Sequence, residues 1–299
     1  MLLVHEIGLR SLNHRSVPAH ALRRRRKMWR SYAGIFLVVL SIVSPLEYWS
    51  MEYFWVHMLQ HVTVMLAAPA LYVGGAPWIP LLHALPVSFR RRVLRHIFLR
   101  PQRHPLRRFM SWLIHPWTGI VIFNIVMIIW MIPKIFDPVM AHMDLHVTLM
   151  LSSFFLSGLL FWVQFIPSHP IRITLSPFAR VGALAITNVV MTIIAMAISF
   201  FTNGPLYTFG IAMPGMASMA MPMTTLNRFA DQQIGAAILW VCGDFWCYPA
   251  IVTTIHRYIR SDRENSSGVF DRVLGGRHRD EPVDLRTPHE ILGRTPPPR

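Results

Sequence analysis

About six apolar segments dominate this sequence, and each is long enough to cross the ~30 Å hydrocarbon core of a bilayer as a helix of ~20 residues. Inside lipid the backbone must satisfy its own hydrogen bonds, so segments of this kind fold as helices. The sequence therefore predicts an all-α fold, a polytopic transmembrane helix bundle. The predicted spans are residues 31–50, 55–78, 117–136, 142–166, 181–202 and 232–256.

The composition agrees with a chain built almost entirely around these spans. Hydrophobic residues make up 53% and charged residues 14%, whereas soluble domains carry roughly 25% charged residues. We expect a basic cytoplasmic segment over 1–30, a transmembrane domain over 31–258 and a disordered cytoplasmic tail over 259–299, where the chain becomes polar and ends in prolines.

The net charge of +15, from 29 Lys and Arg against 14 Asp and Glu, reflects arginine clusters beside the spans. One cluster lies within 23–30 and another within 79–115, and both belong in the cytoplasm by the positive-inside rule. The other loops are consistent with that alternation, so both termini are predicted to be cytoplasmic. Because these arginines are placed to contact lipid headgroups, we expect no nucleic-acid partner.

Two histidine pairs fall at the predicted outer end of the bundle. His57 and His61 occur within HMLQH in the second span, and His142 and His146 occur within HMDLH in the fourth. Residues four apart share one face of a helix, so two helices are predicted to present paired imidazoles at one depth. These four histidines are candidate metal ligands.

Further polar and soft side chains lie near that predicted end. Asp231 opens the sixth span and adds a carboxylate as a candidate ligand. The loop before it, MPGMASMAMPM, is a candidate copper-capturing segment through Met213, Met216, Met219, Met221 and Met223. Thioethers favour Cu(I) and imidazole suits copper or zinc, so the combination favours Cu(I).

Other interpretations of these residues stay open. A histidine at a membrane interface also serves as a hydrogen-bonding structural residue, and methionine also fills apolar gaps. Haem is the alternative cofactor, and it would need one histidine from each helix. HMLQH lacks the general base of the HExxH zinc proteases, because position 58 is methionine. Asp244, near the middle of the last span, is a candidate intramembrane polar site.

Taken together, these motifs resemble those of the CtaG family of bacterial cytochrome c oxidase assembly proteins, over roughly residues 31–256. The matching elements are Ser44-Pro45-Leu46, HMLQH, Ala68-Pro69, Gly75-Ala76-Pro77, His115-Pro116, Trp130 with Pro133 and Asp137, HMDLH, Gly158 to Trp162, and Asp231-Gln232-Gln233 through Trp240.

The resemblance implies a multi-pass protein of the bacterial plasma membrane that helps to build haem-copper oxidase and catalyses no reaction. Its polar motifs fall on the histidine pairs and Asp231. Many relatives carry a histidine where this chain has Met131, which we keep as a candidate soft ligand. Relatives commonly have a further helix before the arginine cluster, and we expect that this helix is either lost here or encoded upstream of residue 1.

The leading hypothesis is an assembly factor that binds Cu(I) at its outer face and supports copper insertion into a haem-copper oxidase subunit. Its expected partners are oxidase subunits, the lipid bilayer and an extracytoplasmic copper donor. Two alternatives are a haem-binding electron-transfer subunit of the membrane and a copper transport or resistance protein.

Overall fold

The computed structural model is all-helical, with no β-strand among the residues that it describes. The described residues are 2–13, 18–86, 88, 105–169, 171, 173–207 and 226–270. The helices are α1 (Leu2–Asn13), α2 (Pro18–Val43), α3 (Pro45–Glu52), α4 (Phe54–Val62), α5 (Ala68–Gly74), α6 (Trp78–Ala84), α7 (Pro105–Leu113), α8 (Pro116–Trp130), α9 (Pro133–Met140), α10 (Met143–Leu145), α11 (Ser152–Trp162), α12 (Pro177–Phe200) and α13 (Arg228–Phe270).

Among the residues that the structure describes, four helical stretches are long and apolar enough to cross a membrane, and the number rises to six if two bent helix pairs each count as one span. The four stretches are Phe54–Gly74, Met143–Trp162, Pro177–Phe200 and Arg228–Arg260. The prediction of an all-helical chain with several membrane-spanning helices is therefore confirmed, with four to six candidate spans. The count of six and the orientation of the termini stay predictions.

The predicted spans 31–50 and 117–136 are each broken into two helices. Helix α2 meets α3 at a bend of 56°, and α8 meets α9 at 73°. In both cases a proline, Pro45 or Pro133, opens the second helix. The residue before a proline is restricted to extended backbone, so the first helix ends there and the chain changes direction.

Two spans contain short π-helical segments, which we call π1 (Thr63–Ala67) and π2 (His146–Leu151). Segment π1 joins α4 to α5, and π2 joins α10 to α11. A wider helical turn of this kind is rare and often occurs at functional sites. Gly158 of α11 packs so closely on the carbonyl of Met65 in π1 that an added Cβ atom would clash. The two spans are thus held in close contact by a small residue, as is common in membranes.

The stretch Phe54–Gly74 is the centre of the bundle. In its most apolar part 83% of the residues are buried, compared with 33% for Pro177–Phe200. Helices α2 and α11 both pack against it. Polar side chains on this central span are therefore enclosed by protein rather than by lipid.

Helices also lie in parts of the two segments that flank the predicted transmembrane domain. Helix α1 lies in the predicted basic segment 1–30 and packs on α6. Helix α13 ends at Phe270 and so runs through part of the predicted tail 259–299. The chain divides into two compact units, Met1–Val252 and Thr253–Arg299, and the candidate site lies within the first.

Candidate metal site

Three histidines meet inside the first unit. His57 and His61 come from α4, His146 is the first residue of π2, and all three are 0% exposed. One nitrogen from each lies within 4.8 Å of the other two. Among the residues that the structure describes, this is the only grouping of three or more His, Cys, Asp or Glu side chains with donor atoms so close.

Two spans contribute to this three-histidine cluster, one with two histidines and the other with one. On α4, the spacing of four residues places the rings of His57 and His61 on one face with centroids 4.0 Å apart. His146 approaches from the other span, with its ring 5.0 Å from that of His57 and 6.3 Å from that of His61. The cluster is therefore assembled by tertiary packing between two spans.

Aromatic rings enclose the cluster. The ring of Phe136 in α9 meets His57 edge-on at 5.0 Å, and Phe154 in α11 lies 4.5 Å from His61. Phe54 and Tyr207 pack on Phe136 in turn, at 6.1 and 4.8 Å. Such apolar surroundings exclude water and strengthen every electrostatic interaction of the imidazoles.

Several imidazole nitrogens in the cluster lack hydrogen-bond partners among the described residues. They are Nδ1 and Nε2 of His61 and Nε2 of His146. Leaving a buried polar atom unsatisfied costs about 1–3 kcal/mol, so native structures rarely do so without a reason. Lone pairs converging from two spans in a closed pocket have the donor chemistry of a metal site.

Glu47 of α3 is a part of the site that the sequence analysis missed. It is only 4% exposed, and its Oε1 lies within hydrogen-bond distance of Nδ1 of His146, at 2.9 Å. Its other oxygen, Oε2, accepts a hydrogen bond from Nε2 of Gln60, which lies on α4 between the two histidines. The sequence did hold a signal, because Glu47 is an acidic residue at the same predicted end of the bundle as the histidines.

His142 lies outside the three-histidine cluster. It is exposed and precedes α10 in an extended conformation, with φ −130° and ψ 104°. The rule that residues four apart share a face holds only when both lie within one helix. Here the helix begins after His142, so its side chain does not follow the helical face that His146 occupies.

Asp231 acts on the backbone of α4. Its carboxylate accepts hydrogen bonds from the N–H groups of Phe54 at 2.7 Å and Trp55 at 3.0 Å. These are the first residues of α4, where N–H groups have no partner within the helix and a negative charge is favourable. One turn later, Gly235 packs against Phe54 and Met58. In the structure, Asp231 thus caps the helix that carries His57 and His61.

The remaining candidate residues are placed as follows. Met131 is buried at the end of α8, and its carbonyl accepts from the Tyr207 hydroxyl at 2.9 Å. Burial, with a smaller effect of Asp137, raises the pKa of Tyr207, so its hydroxyl remains a donor.

The carboxylate of Asp244 in α13 accepts a hydrogen bond from Nδ2 of Asn188 in α12 at 2.7 Å. The predicted copper-capturing methionines, 213–223, lie outside the described residues.

The fold and the site define a polytopic helical membrane protein with a buried three-imidazole cluster at one end of its central span. The chain belongs to the family of cytochrome c oxidase caa3 assembly factors, Caa3_CtaG, whose model matches residues 5–261. The resemblance seen in the sequence motifs is thereby confirmed.

Two mycobacterial relatives match the chain. They are the uncharacterized proteins Mb0105 of Mycobacterium bovis and MT0111 of Mycobacterium tuberculosis, each 25% identical over 265 residues. Each match covers 83% of this chain but 37% of the relative, so the chain spans little more than a third of their length. No solved structure matches the chain significantly.

Proposed function

We propose that this chain is an assembly factor that binds Cu(I) at His57, His61 and His146 and supports copper insertion into a subunit of a haem-copper oxidase. The three-histidine cluster is the observation that carries the proposal. Membership of the family of cytochrome c oxidase caa3 assembly factors supports an oxidase subunit as the proposed destination of the metal. The role is one of binding and delivery, with no reaction catalysed by the chain.

The donor set suits the proposed cargo. Imidazole is a good ligand for copper, and nitrogens that bind one ion at about 2.0–2.1 Å lie at most about 4.2 Å apart. The three nitrogens here lie within 4.8 Å of one another, so small side-chain rotations bring them to bonding distance. Bound copper would also provide a partner for one of the two buried nitrogens of His61 and for Nε2 of His146.

The depth of the cluster suits transfer to another membrane protein. His57 and His146 each lie in the first turn of their span, within three residues of Phe54 and Met143. The positive-inside rule, applied to the arginine clusters, supports the proposal that this end faces the non-cytoplasmic side of the bacterial plasma membrane. On that side the site would be accessible to an extracytoplasmic copper donor and to an oxidase subunit.

A copper titration of the purified chain tests the proposal. Under anaerobic, reducing conditions with a competing Cu(I) chelator, we expect one tightly bound Cu(I) per chain. His57→Ala and His146→Ala should each weaken binding by more than about 100-fold, since losing even an outer partner of a ligand costs 10–100-fold. His142→Ala is the matched control, because it removes an exposed histidine from the same motif as His146.

The same preparations separate the alternatives. Unchanged copper affinity in both His57→Ala and His146→Ala would reject the site, and a haem absorption spectrum in the purified protein would favour the electron-transfer subunit. In cells, loss of the cluster should lower oxidase activity while copper tolerance stays unchanged. The opposite pattern would favour a transport or resistance protein.

A further inference from the structure

Glu47 lies at the centre of a buried polar network that joins four helical elements. Its carboxylate contacts His146 of π2 and Gln60 of α4. The amide of Gln60 also donates to the carbonyl of Ser41 in α2 at 2.7 Å. The Ser50 hydroxyl donates to the backbone carbonyl of Glu47 at 2.7 Å, which holds α3 locally. The carboxylate is therefore fixed from several directions.

The contact with His146 determines which ring nitrogen faces the cluster. We take the Glu47 carboxylate as the acceptor in this 2.9 Å contact, which assigns the proton to Nδ1 of His146. Nε2 then keeps its lone pair, and it is the nitrogen without a hydrogen-bond partner among the described residues. Metal-binding histidines commonly donate their other N–H to a carboxylate in this way, which fixes the ring and makes it a stronger ligand.

The position of Glu47 also matters for charge. Three neutral imidazoles bring no negative charge, so a cation bound by them alone would be a buried, uncompensated charge. Uncompensated charges are costly in a closed apolar site. Glu47 is 4% exposed and bonded to one of the three imidazoles, so its negative charge lies beside any ion in the cluster.

We propose that Glu47 is a positioning residue and counter-charge of the three-histidine site: it directs Nε2 of His146 inward and neutralises part of the charge of the bound ion. This inference rests on the proposed metal-binding function. It assigns to Glu47 an effect that grows with the charge of the ion, because Coulomb energy is proportional to that charge.

The test compares a monovalent and a divalent ion on the full chain. Ag(I) serves as a redox-inert substitute for Cu(I), and Zn(II) is the divalent probe. Glu47→Gln removes the charge while keeping the size of the side chain, and we expect it to weaken Ag(I) binding by roughly 10–100-fold. Zn(II) binding should weaken by a further factor of about ten or more, since the lost attraction is twice as large.

Two further variants make the result specific. Glu52→Gln removes an exposed carboxylate from the same helix and should leave both affinities unchanged. Glu47→Asp keeps the charge but shortens the reach, so it should weaken both ions by a similar factor. The helix content and the melting temperature without metal are measured for each variant to check that it folds. If Glu47→Gln does not fold, the comparison of the two ions is made with Glu47→Asp.

The outcomes distinguish this inference from the function on which it rests. Equal losses of Ag(I) and Zn(II) in Glu47→Gln would overturn the counter-charge role, and unchanged affinities would overturn the inference entirely. For Glu47→Asp, a greater loss of Zn(II) than of Ag(I) would also overturn it. Failure of the unmodified chain to bind Ag(I) or Cu(I) would instead reject the proposed metal-binding function itself.

Discussion

The histidine pairs of HMLQH and HMDLH have the same spacing of four residues, but the structure places them differently. HMLQH delivers both of its histidines to the cluster, whereas HMDLH delivers only His146. The difference lies in the first turn of each span. His57 follows the helix start at Phe54, but His142 precedes the helix start at Met143 and is exposed. A shared spacing therefore predicts a shared face only when the position of the helix start is known.

Asp231 contributes to this difference. Its carboxylate holds the first N–H groups of α4 and so fixes where the HMLQH helix begins. His142 is the residue directly before α10, and its side chain makes no capping hydrogen bond to that helix. The start of α4 is thus fixed by a side chain from α13, whereas the residue at the start of α10, His142, is exposed.

The largest expected effect comes from His61→Leu, which replaces a buried imidazole by an apolar side chain. Without metal, its stability should be unchanged or higher, because neither ring nitrogen has a hydrogen-bond partner among the described residues. With free Ag(I) at 100 times the dissociation constant, the unmodified chain should gain about 2.7 kcal/mol and the variant almost none. Thermal unfolding with and without Ag(I) measures both. Full Ag(I) stabilisation of the variant would contradict the assignment of His61.

A smaller effect is expected for Asp231→Ala, which removes the cap of α4. Loss of a helix cap typically costs about 1–2 kcal/mol, so the melting temperature should fall. One Cu(I) per chain should still bind, because Asp231 contacts backbone N–H groups in the structure. Thermal unfolding and a copper titration of the same sample provide the two readouts. Loss of copper with an unchanged melting temperature would make Asp231 a ligand.

The smallest effect is expected for His142→Ala. Exposed substitutions away from special features usually change stability by less than about 0.5 kcal/mol, and His142 is exposed. Its Cu(I) affinity should match that of the unmodified chain within about threefold. Because His142 and His146 belong to one motif and lie four residues apart in sequence, the two competition titrations together show whether the HMDLH pair acts as one unit. A loss of affinity equal to that of His146→Ala would mean that it does.

The sequence predicted the parts of the structure that depend on local pattern. Apolar length predicted the spans, and a spacing of four residues predicted that His57 and His61 share a face. These features follow from helix geometry within a single segment. The two bends were not predicted: spans 31–50 and 117–136 were expected to be continuous helices, although Pro45 and Pro133 are local features of the sequence.

The other features that the sequence did not predict depend on contacts between spans. Glu47 meets His146 across 99 positions in the chain, and Asp231 reaches Phe54 across 177. Whether a carboxylate binds a metal, a histidine or a helix terminus is decided by which elements pack beside it. A pattern within one span carries no information about that choice.

X-ray absorption of the Cu(I)-loaded chain tests the central claim most directly, because it reports the atoms bound to the metal. The account predicts a shell of nitrogen at about 2.0 Å with the outer scattering of imidazole rings, weakened in His146→Ala and unchanged in His142→Ala. A shell made only of sulfur at about 2.3 Å, or a spectrum unaffected by His146→Ala, would contradict a site built from His57, His61 and His146.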